Sequence, residues 1–220
     1  MVKHFSYDAR LIAALEASLS TDRLTSYLSA TSGDKEAALR LYAWNTAISA
    51  AFYVPLQGLE VTLRNALHRE LTSAFGVPWY DLLQRTFAPK ETNRINEAKA
   101  TLARSGKLID PPHIVAELPF GFWISLLGPG PRGTYHNRLW IPALHKGFPH
   151  TKQPRKEIHR PLDHLRLLRN RIAHHEEPIF RRHLAADYET ILRVLAWVSP
   201  EAANWVDHHA TVLDILAERP

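Results

Sequence analysis

Residues 56–71 read LQGLEVTLRNALHREL, and the spacing of leucine in this stretch decides the fold class. The leucines stand three or four residues apart, at Leu56, Leu59, Leu63, Leu67 and Leu71. In an α-helix that spacing puts all of them on one face, and the resulting apolar stripe must be covered by other elements. The stretch therefore predicts a long amphipathic helix within a helical protein.

The helical pattern continues upstream of this stretch. The segment at residues 31–34 is predicted to be a loop that ends in a helix-start residue, Asp34, and a helical stretch runs from there to Phe75. Pro55 is expected to kink or divide it, because proline removes a backbone donor and clashes with the preceding turn. For its first half we predict an apolar stripe of Leu39, Tyr42, Ala43 and Thr46.

Helical patterns also cover most of the remaining chain. We predict a first helix capped by Ser6 or Asp8, a second over 22–28, an amphipathic one over 91–104, one from Pro154 to His174 or His175, one over 184–198, and a last one that Ser199 caps, running to about Ala217. Pro161 either bends its helix or marks the true beginning. Residues 110–153 are rich in proline and glycine, which predicts short helices joined by turns.

These patterns predict an all-α fold. No alternating strand pattern and no repeat is present, so we expect an irregular helical bundle. At 220 residues we predict one domain, 1–220, with a loop-rich insertion at about 110–153.

Composition narrows the class of protein. With 45% hydrophobic residues a substantial core is expected, and the absence of cysteine excludes disulfides and cysteine-based zinc sites. The first residues lack the apolar core of a signal peptide, and the most apolar runs, 47–54 and 120–127, are far shorter than the roughly 20 residues of a membrane helix. We therefore expect a soluble, cytoplasmic protein with no membrane partner.

Positive charge is concentrated in one segment. Between His145 and His183 there are ten Lys/Arg and four Asp/Glu, a net charge of +6, whereas the whole chain carries +5. A local field of this kind attracts polyanions such as RNA. The alternative is an ordinary solvated helix face.

Within that segment, residues 168–176 read LRNRIAHHE. Asn170 and His174 are four residues apart, so they share one helix face. Arg169 lies about 40° further back, because each helical residue turns by about 100°. The three residues combine an imidazole that titrates near neutral pH, a permanent cation and a neutral polar group, which suits proton transfer on an anionic substrate.

Cleavage of RNA is one such reaction. His174 can act as general acid or base, Arg169 can clamp the phosphate and stabilise its transition state, and Asn170 can orient the substrate as a donor. The 2′-hydroxyl is the nucleophile, so no metal or cofactor is needed, and the products carry a 2′,3′-cyclic phosphate and a 5′-hydroxyl. Further candidate RNA contacts are Arg166, Arg171 and His175. Alternatively, Arg169 and His174 only cap the helix, where cations interact well with the C-terminal dipole.

A second polar group lies on the leucine-rich helix. Glu60 and Arg64 are four residues apart and are expected to pair, with Asn65 and His68 nearby. The group is either a semi-buried polar network that locks two helices, or a support in which Glu60 and Arg64 orient the Arg169/His174 site or contact the RNA backbone.

Two further patterns have structural explanations. The aromatic residues are expected to form core, although they could also stack unpaired bases; they are Trp44, Tyr53, Phe120, Phe122, Trp123 and Trp140, with Asn45 beside them. The histidine pairs His174-His175 and His208-His209 do not predict a metal site, because adjacent side chains point away from each other on a helix.

The 168–176 stretch is similar to the Abi-like family of bacterial abortive-infection proteins, which belong to the HEPN superfamily of helical ribonucleases and nucleotide-binding domains. That superfamily's motif is Arg, a polar residue, three or four residues and then His, which Arg169, Asn170 and His174 match. Blocks elsewhere between about Leu39 and Phe180 also resemble the family: YAWN at 42–45, PLQGLE at 55–60, LRN at 63–65, FGFW at 120–123 and FP at 148–149.

The resemblance implies a HEPN-type bundle that forms a homodimer, so that two Arg/His motifs meet in one cleft. It implies metal-independent RNA cleavage in phage defence or in a toxin–antitoxin pair, where an antitoxin protein or a small RNA holds the toxin inactive. An alternative of a different class is a non-catalytic helical module that binds RNA or an acidic antitoxin. A purely scaffolding bundle is a third possibility, and it predicts no RNA affinity.

Overall fold

The computed structural model describes residues 5–174 and 183–220, and every regular element within them is helical. The α-helices are α1 (Ala9–Leu19), α2 (Thr21–Ala30), α3 (Lys35–Ala51), α4 (Tyr53–Phe75), α5 (Trp79–Leu82), α6 (Pro89–Arg104), α7 (Pro111–Glu117), α8 (Phe120–Ser125), α9 (Arg155–Ala173), α10 (Leu184–Val198), α11 (Pro200–His209) and α12 (Val212–Ala217). The predicted all-α class is confirmed.

Side-chain caps explain where several helices begin. Asp8 accepts a hydrogen bond from the backbone N–H of Leu11 at 2.8 Å, and Asp34 accepts one from Ala37 at 3.0 Å. Ser199 accepts from the N–H of Ala202 at 3.1 Å. Each cap satisfies a donor that the first turn of a helix leaves unpaired, so these polar residues set the helix starts.

The helical stretch from 35 to 75 is divided, as Pro55 predicts. The break falls at Phe52, and Pro55 occupies the first turn of α4, where a missing backbone N–H costs little. The last helix is also divided, against prediction: α11 ends at His209 and α12 begins at Val212. Pro161, in contrast, lies inside α9 and does not mark its beginning.

The chain forms two compact units. The first contains residues 5–53, 170–174, 183–188 and 210–220. In it α3 packs against α2 and α12, and the indole Nε1 of Trp44 donates to the carbonyl of Ile215 at 2.7 Å. This bond satisfies the one polar atom of a side chain that is otherwise buried.

The predicted stripe on α3 is wrong in phase. Leu39 is buried, but Ala43 and Thr46 are exposed and Tyr42 is only half-buried. The buried face runs instead through Leu41, Trp44 and Ile48. Alanine gains little free energy from burial, so the larger side chains decide which face of the helix turns inward.

The second unit contains residues 54–169 and 189–209. Its core confirms the leucine stripe of α4: Leu59, Leu63, Leu67 and Leu71 are 0% exposed and Leu56 is 5% exposed. Gly58 allows close packing of α4, since a Cβ there would lie 2.5 Å from a methyl group of Val206 on α11. An aromatic cluster adjoins this core, with ring centroids 5.3–6.4 Å apart: Trp79, Tyr80, Phe87, Phe122 and Trp123.

The loop-rich middle of this unit has the predicted character of short helices and turns. It contains α7, α8 and three short 3₁₀ or π turns, at Pro131–Gly133, His136–Trp140 and Leu144–Gly147.

Whether the protein is one domain with an insertion stays a prediction. Among the described residues, no helix is both long enough and apolar enough to span a lipid bilayer.

Candidate functional site

Helix α9 is strongly amphipathic and carries most of the predicted site. Ile158, Leu162, Leu165 and Leu168 are buried along one face of it. Charged side chains occupy the other faces, because three-to-four-residue spacing leaves the intervening positions toward solvent. The burial of Leu168 therefore fixes the rotation of the helix at the point where Arg169 and Asn170 follow.

Arg169 is held by an acid from the leucine-rich helix. Its Nε lies 3.5 Å from Oε2 of Glu60, and the side chains are 38% and 22% exposed. This distance describes an ion pair rather than a short hydrogen bond. The pair holds the guanidinium beside Glu60. A guanidinium has five N–H donors, two of which can bind a phosphate in parallel.

Asn170 and His174 lie beyond Arg169 in the chain. The backbone N–H of His174 donates to the carbonyl of Asn170 at 2.9 Å, so the helical register extends one residue past the end of α9. The two side chains are therefore on the same helix face, as their spacing predicts. His174 is exposed and Asn170 is half-buried. His175 lies outside the described residues.

The predicted pairing of Glu60 with Arg64 is wrong. Glu60 pairs with Arg169 instead, and the Nε of Arg64 is buried without a hydrogen-bond partner among the described residues. Asn65 is exposed and makes no contact with this pair that the structure records. The structure thus brings Glu60 to Arg169 rather than to Arg64.

His68 of the same helix has a structural role. The indole of Trp79 donates to its Nδ1 at 2.9 Å, which requires that nitrogen to be unprotonated. Burial lowers the pKa of His68, so the imidazole is kept neutral. His68 therefore supports the aromatic cluster rather than the Arg169 group.

Much of the basic charge on α9 is locally compensated. Arg160 pairs with Glu157 at 2.7 Å and Arg166 pairs with Asp163 at 2.8 Å. Arg155 turns inward and donates to backbone carbonyls at 127 and 128, and burial lowers its pKa. Exposed basic residues remain along the segment, at Lys146, Lys152, Lys156 and Arg171. The net charge of +6 between His145 and His183 already counts Glu157 and Asp163, so these pairs leave that total unchanged and place its uncompensated part at the remaining basic residues.

Sequence reasoning missed a polar cavity beside the first half of α9. It has a volume of about 260 Å³, and His159, Asp163, Arg166 and Glu91 are among its lining residues. Burial lowers the pKa of His159, which favours its neutral form, although Asp163 acts in the opposite direction. Residues 159, 163 and 166 are spaced by four and three positions and so share one helix face. This spacing could have predicted a polar site on α9.

Glu91 of the amphipathic helix α6 is a second residue that the sequence did not single out. Its carboxylate is 4% exposed and accepts a hydrogen bond from the Tyr135 hydroxyl at 3.0 Å. That hydroxyl accepts in turn from the N–H of Ala88 at 2.9 Å. Burial, reinforced by Glu91, raises the pKa of Tyr135, which keeps the phenol protonated as the donor. The group anchors the 130–135 loop to the start of α6.

Most of the aromatic side chains are core, as predicted. Trp44, Phe120, Phe122 and Trp123 are buried, and Trp140 is 9% exposed. Tyr53 is the exception, at 65% exposed.

Comparison with models of known families, with curated proteins and with solved structures found no match for this chain.

Proposed function

We propose that this protein is a metal-independent endoribonuclease of the Abi-like HEPN type. The single observation that supports this most is the placement of three polar side chains. His174 is exposed one helical turn after Asn170, and Arg169, which directly precedes Asn170, is paired with the carboxylate of Glu60. A capping role alone does not require a carboxylate on Arg169. The motif that resembles the family is thus built from solvent-accessible polar groups rather than from core residues.

The chemistry follows from these groups. The 2′-hydroxyl attacks the adjacent phosphorus, the bond to the 5′-oxygen breaks, and a 2′,3′-cyclic phosphate and a 5′-hydroxyl are formed. The imidazole of His174 takes the proton from the 2′-hydroxyl or returns one to the leaving oxygen. The guanidinium of Arg169 offsets the negative charge that develops on the phosphoryl oxygens. Asn170 orients the substrate by donating a hydrogen bond.

The proposal includes a homodimer. One histidine cannot easily serve both sides of an in-line displacement, and a second copy related by a two-fold axis would supply the opposite acid or base. The biological setting that we propose is phage defence or a toxin–antitoxin pair, in which an antitoxin protein or inhibitory small RNA restrains the enzyme in the cytoplasm.

The products of the reaction test this function. We expect the purified protein to cleave single-stranded RNA in excess EDTA and to leave 5′-hydroxyl and 2′,3′-cyclic phosphate ends, which mass spectrometry distinguishes from 3′-hydroxyl and 5′-phosphate ends. RNA that stays intact, or ends of the second kind, would contradict the proposal.

The ion pair of Arg169 gives a second test. Glu60→Gln should lower cleavage by about 10-fold, because a misplaced catalytic group costs up to about 100-fold in rate. Loss of a part-exposed ion pair changes stability by at most about 1 kcal/mol, so the unfolding midpoint in urea should shift little. The measurement is single-turnover cleavage with saturating enzyme.

A matched control is available on the same helix. Glu157→Gln removes the carboxylate partner of Arg160, which is the same chemical change at another arginine of α9. Cleavage by this variant should equal that of the wild type. An equal loss of cleavage in both variants would show that the rate depends on the charge around α9 and not on the position of Arg169.

A non-catalytic binding module is the second candidate. The observation that favours it is the set of exposed basic side chains along this segment, Lys146, Lys152, Lys156 and Arg171, which can contact phosphates without any catalytic group. Such a module would bind RNA that stays intact, with an affinity that falls steeply as salt rises. The end-group experiment separates the two functions.

A further inference from the structure

The second unit contains an open cavity between the His136–Trp140 turn and the segment that precedes α9. Its volume is about 390 Å³, within the range of small-ligand sites. Its lining includes six residues from these two segments: His136, Trp140, Ile141, His145, Phe148 and Lys152.

One wall of this cavity is apolar and aromatic. Trp140 and Phe148 lie with ring centroids 6.1 Å apart, and Ile141 beside them is 55% exposed. Trp140 and Phe148 are 9% and 2% exposed, so Ile141 contributes most of the solvent-facing part of this wall. Aromatic and apolar surfaces of this type are where single-stranded nucleic acids stack their bases.

The wall is held in a defined position. His145 Nδ1 lies 3.0 Å from the carbonyl oxygen of Trp140 and donates to it, and the two rings are 6.2 Å apart. Phe148 is 2% exposed and anchors the other side. The cavity is therefore built on buried anchors, while His136, His145 and Lys152 at its edge are exposed.

The charge of the lining selects an anion. Lys152, His136 and His145 are the ionisable side chains that line this cavity, and none of the carboxylates within residues 5–174 and 183–220 lines it. The cavity at His159, in contrast, is lined by Glu91 and Asp163, and the groove at Arg160 is lined by Glu157. An aromatic wall with a cationic edge fits a planar base that carries a phosphate.

We propose that this cavity holds one unpaired nucleotide of the RNA, with the base against Trp140 and Ile141 and a phosphate at Lys152. The inference rests on the proposed function only for the choice of RNA as the ligand. A nucleotide held here would add affinity for single strands over duplexes, because a paired base would first have to be unpaired and unstacked to enter.

Binding to an uncleavable ligand tests the site independently of catalysis. The probe is a fully 2′-O-methylated tetrauridylate with a fluorescent label, and its affinity is measured by anisotropy at several salt concentrations. Lys152→Gln should weaken binding about 5-fold and reduce the slope of log K against log salt by about 0.7, the value for one phosphate contact on a single strand. Lys107→Gln removes an equally exposed charge outside the cavity and should leave both unchanged.

A cross-linking measurement locates the ligand without a mutation. A tetrauridylate of the same backbone containing one 4-thiouridine should cross-link, on illumination, to a peptide within residues 136–154 of the wild-type protein. Cross-links confined to other peptides, or equal binding by Lys152→Gln and wild type, would overturn the site. Competition by uridine monophosphate at the same concentration as the tetranucleotide would assign the cavity to free nucleotides and overturn the RNA assignment. Binding with these properties but no cleavage of ordinary RNA would support the cavity and contradict the nuclease.

Discussion

His174→Ala is expected to lower RNA cleavage at least about 100-fold, the usual contribution of a general acid or base. The side chain is exposed, so its removal leaves no cavity and the variant should unfold at the same urea concentration as the wild type. The measurement is single-turnover cleavage near neutral pH, with the chelator EDTA present. Unchanged wild-type rates with and without EDTA are part of the same expectation.

His150→Ala is the matched control for this experiment. His150 is also exposed and belongs to the same basic segment, but it lies before α9 and outside the motif. Cleavage by this variant should match the wild type. Robust cleavage by His174→Ala would refute the assignment of the acid or base, whereas inhibition by EDTA would refute the metal-free chemistry.

Gly130→Ala is expected to destabilise the protein by about 2–5 kcal/mol. Gly130 has a φ of +69°, and a Cβ there would overlap the ring of Tyr135, which is 1% exposed. A side chain at this positive φ, with a ψ of −176°, costs about 2 kcal/mol, and overpacking a core costs about 1–3 kcal/mol. Displacing Tyr135 would also remove the hydroxyl that Glu91 accepts from. Urea unfolding measures the change in the free energy of unfolding.

Gly133→Ala separates the two causes. Gly133 has a similar φ of +76°, but nothing lies within 4 Å of the position of its Cβ. We expect only the backbone cost, about 1–2 kcal/mol. Equal destabilisation of the two variants would show that the contact with Tyr135 does not matter to stability.

Local rules predicted the helices that have local causes. The stripe of α4 was predicted correctly because each leucine is large and has no competing face. The starts at Asp34 and Ser199 were predicted, and Asp8 was one of two candidate caps with Ser6, because a capping side chain acts within three residues of itself. The buried face of α3 was not predicted correctly. Alanine and threonine fit either face of a helix, and the position of Trp44 depends on its contact with α12.

Only those features of the candidate site that involve residues close together in the sequence could be predicted. The placement of His174 one helical turn after Asn170 follows from their spacing of four residues. The partner of Glu60 does not, because Arg64 lies one turn away while Arg169 is remote in the sequence. The same limit applies to the buried pair of Glu91 and Tyr135, which only the folded chain brings together.

In the proposed reaction the RNA's own 2′-hydroxyl attacks the phosphate, His174 transfers the proton and Arg169 offsets the negative charge. A single 2′-deoxy nucleotide placed on the 5′ side of a mapped cleavage site tests it most directly. We predict that cleavage at that bond disappears while neighbouring sites are still cut and the affinity for the oligonucleotide is unchanged. Cleavage that continues at the substituted bond would contradict the account, because no attacking oxygen would remain on the ribose.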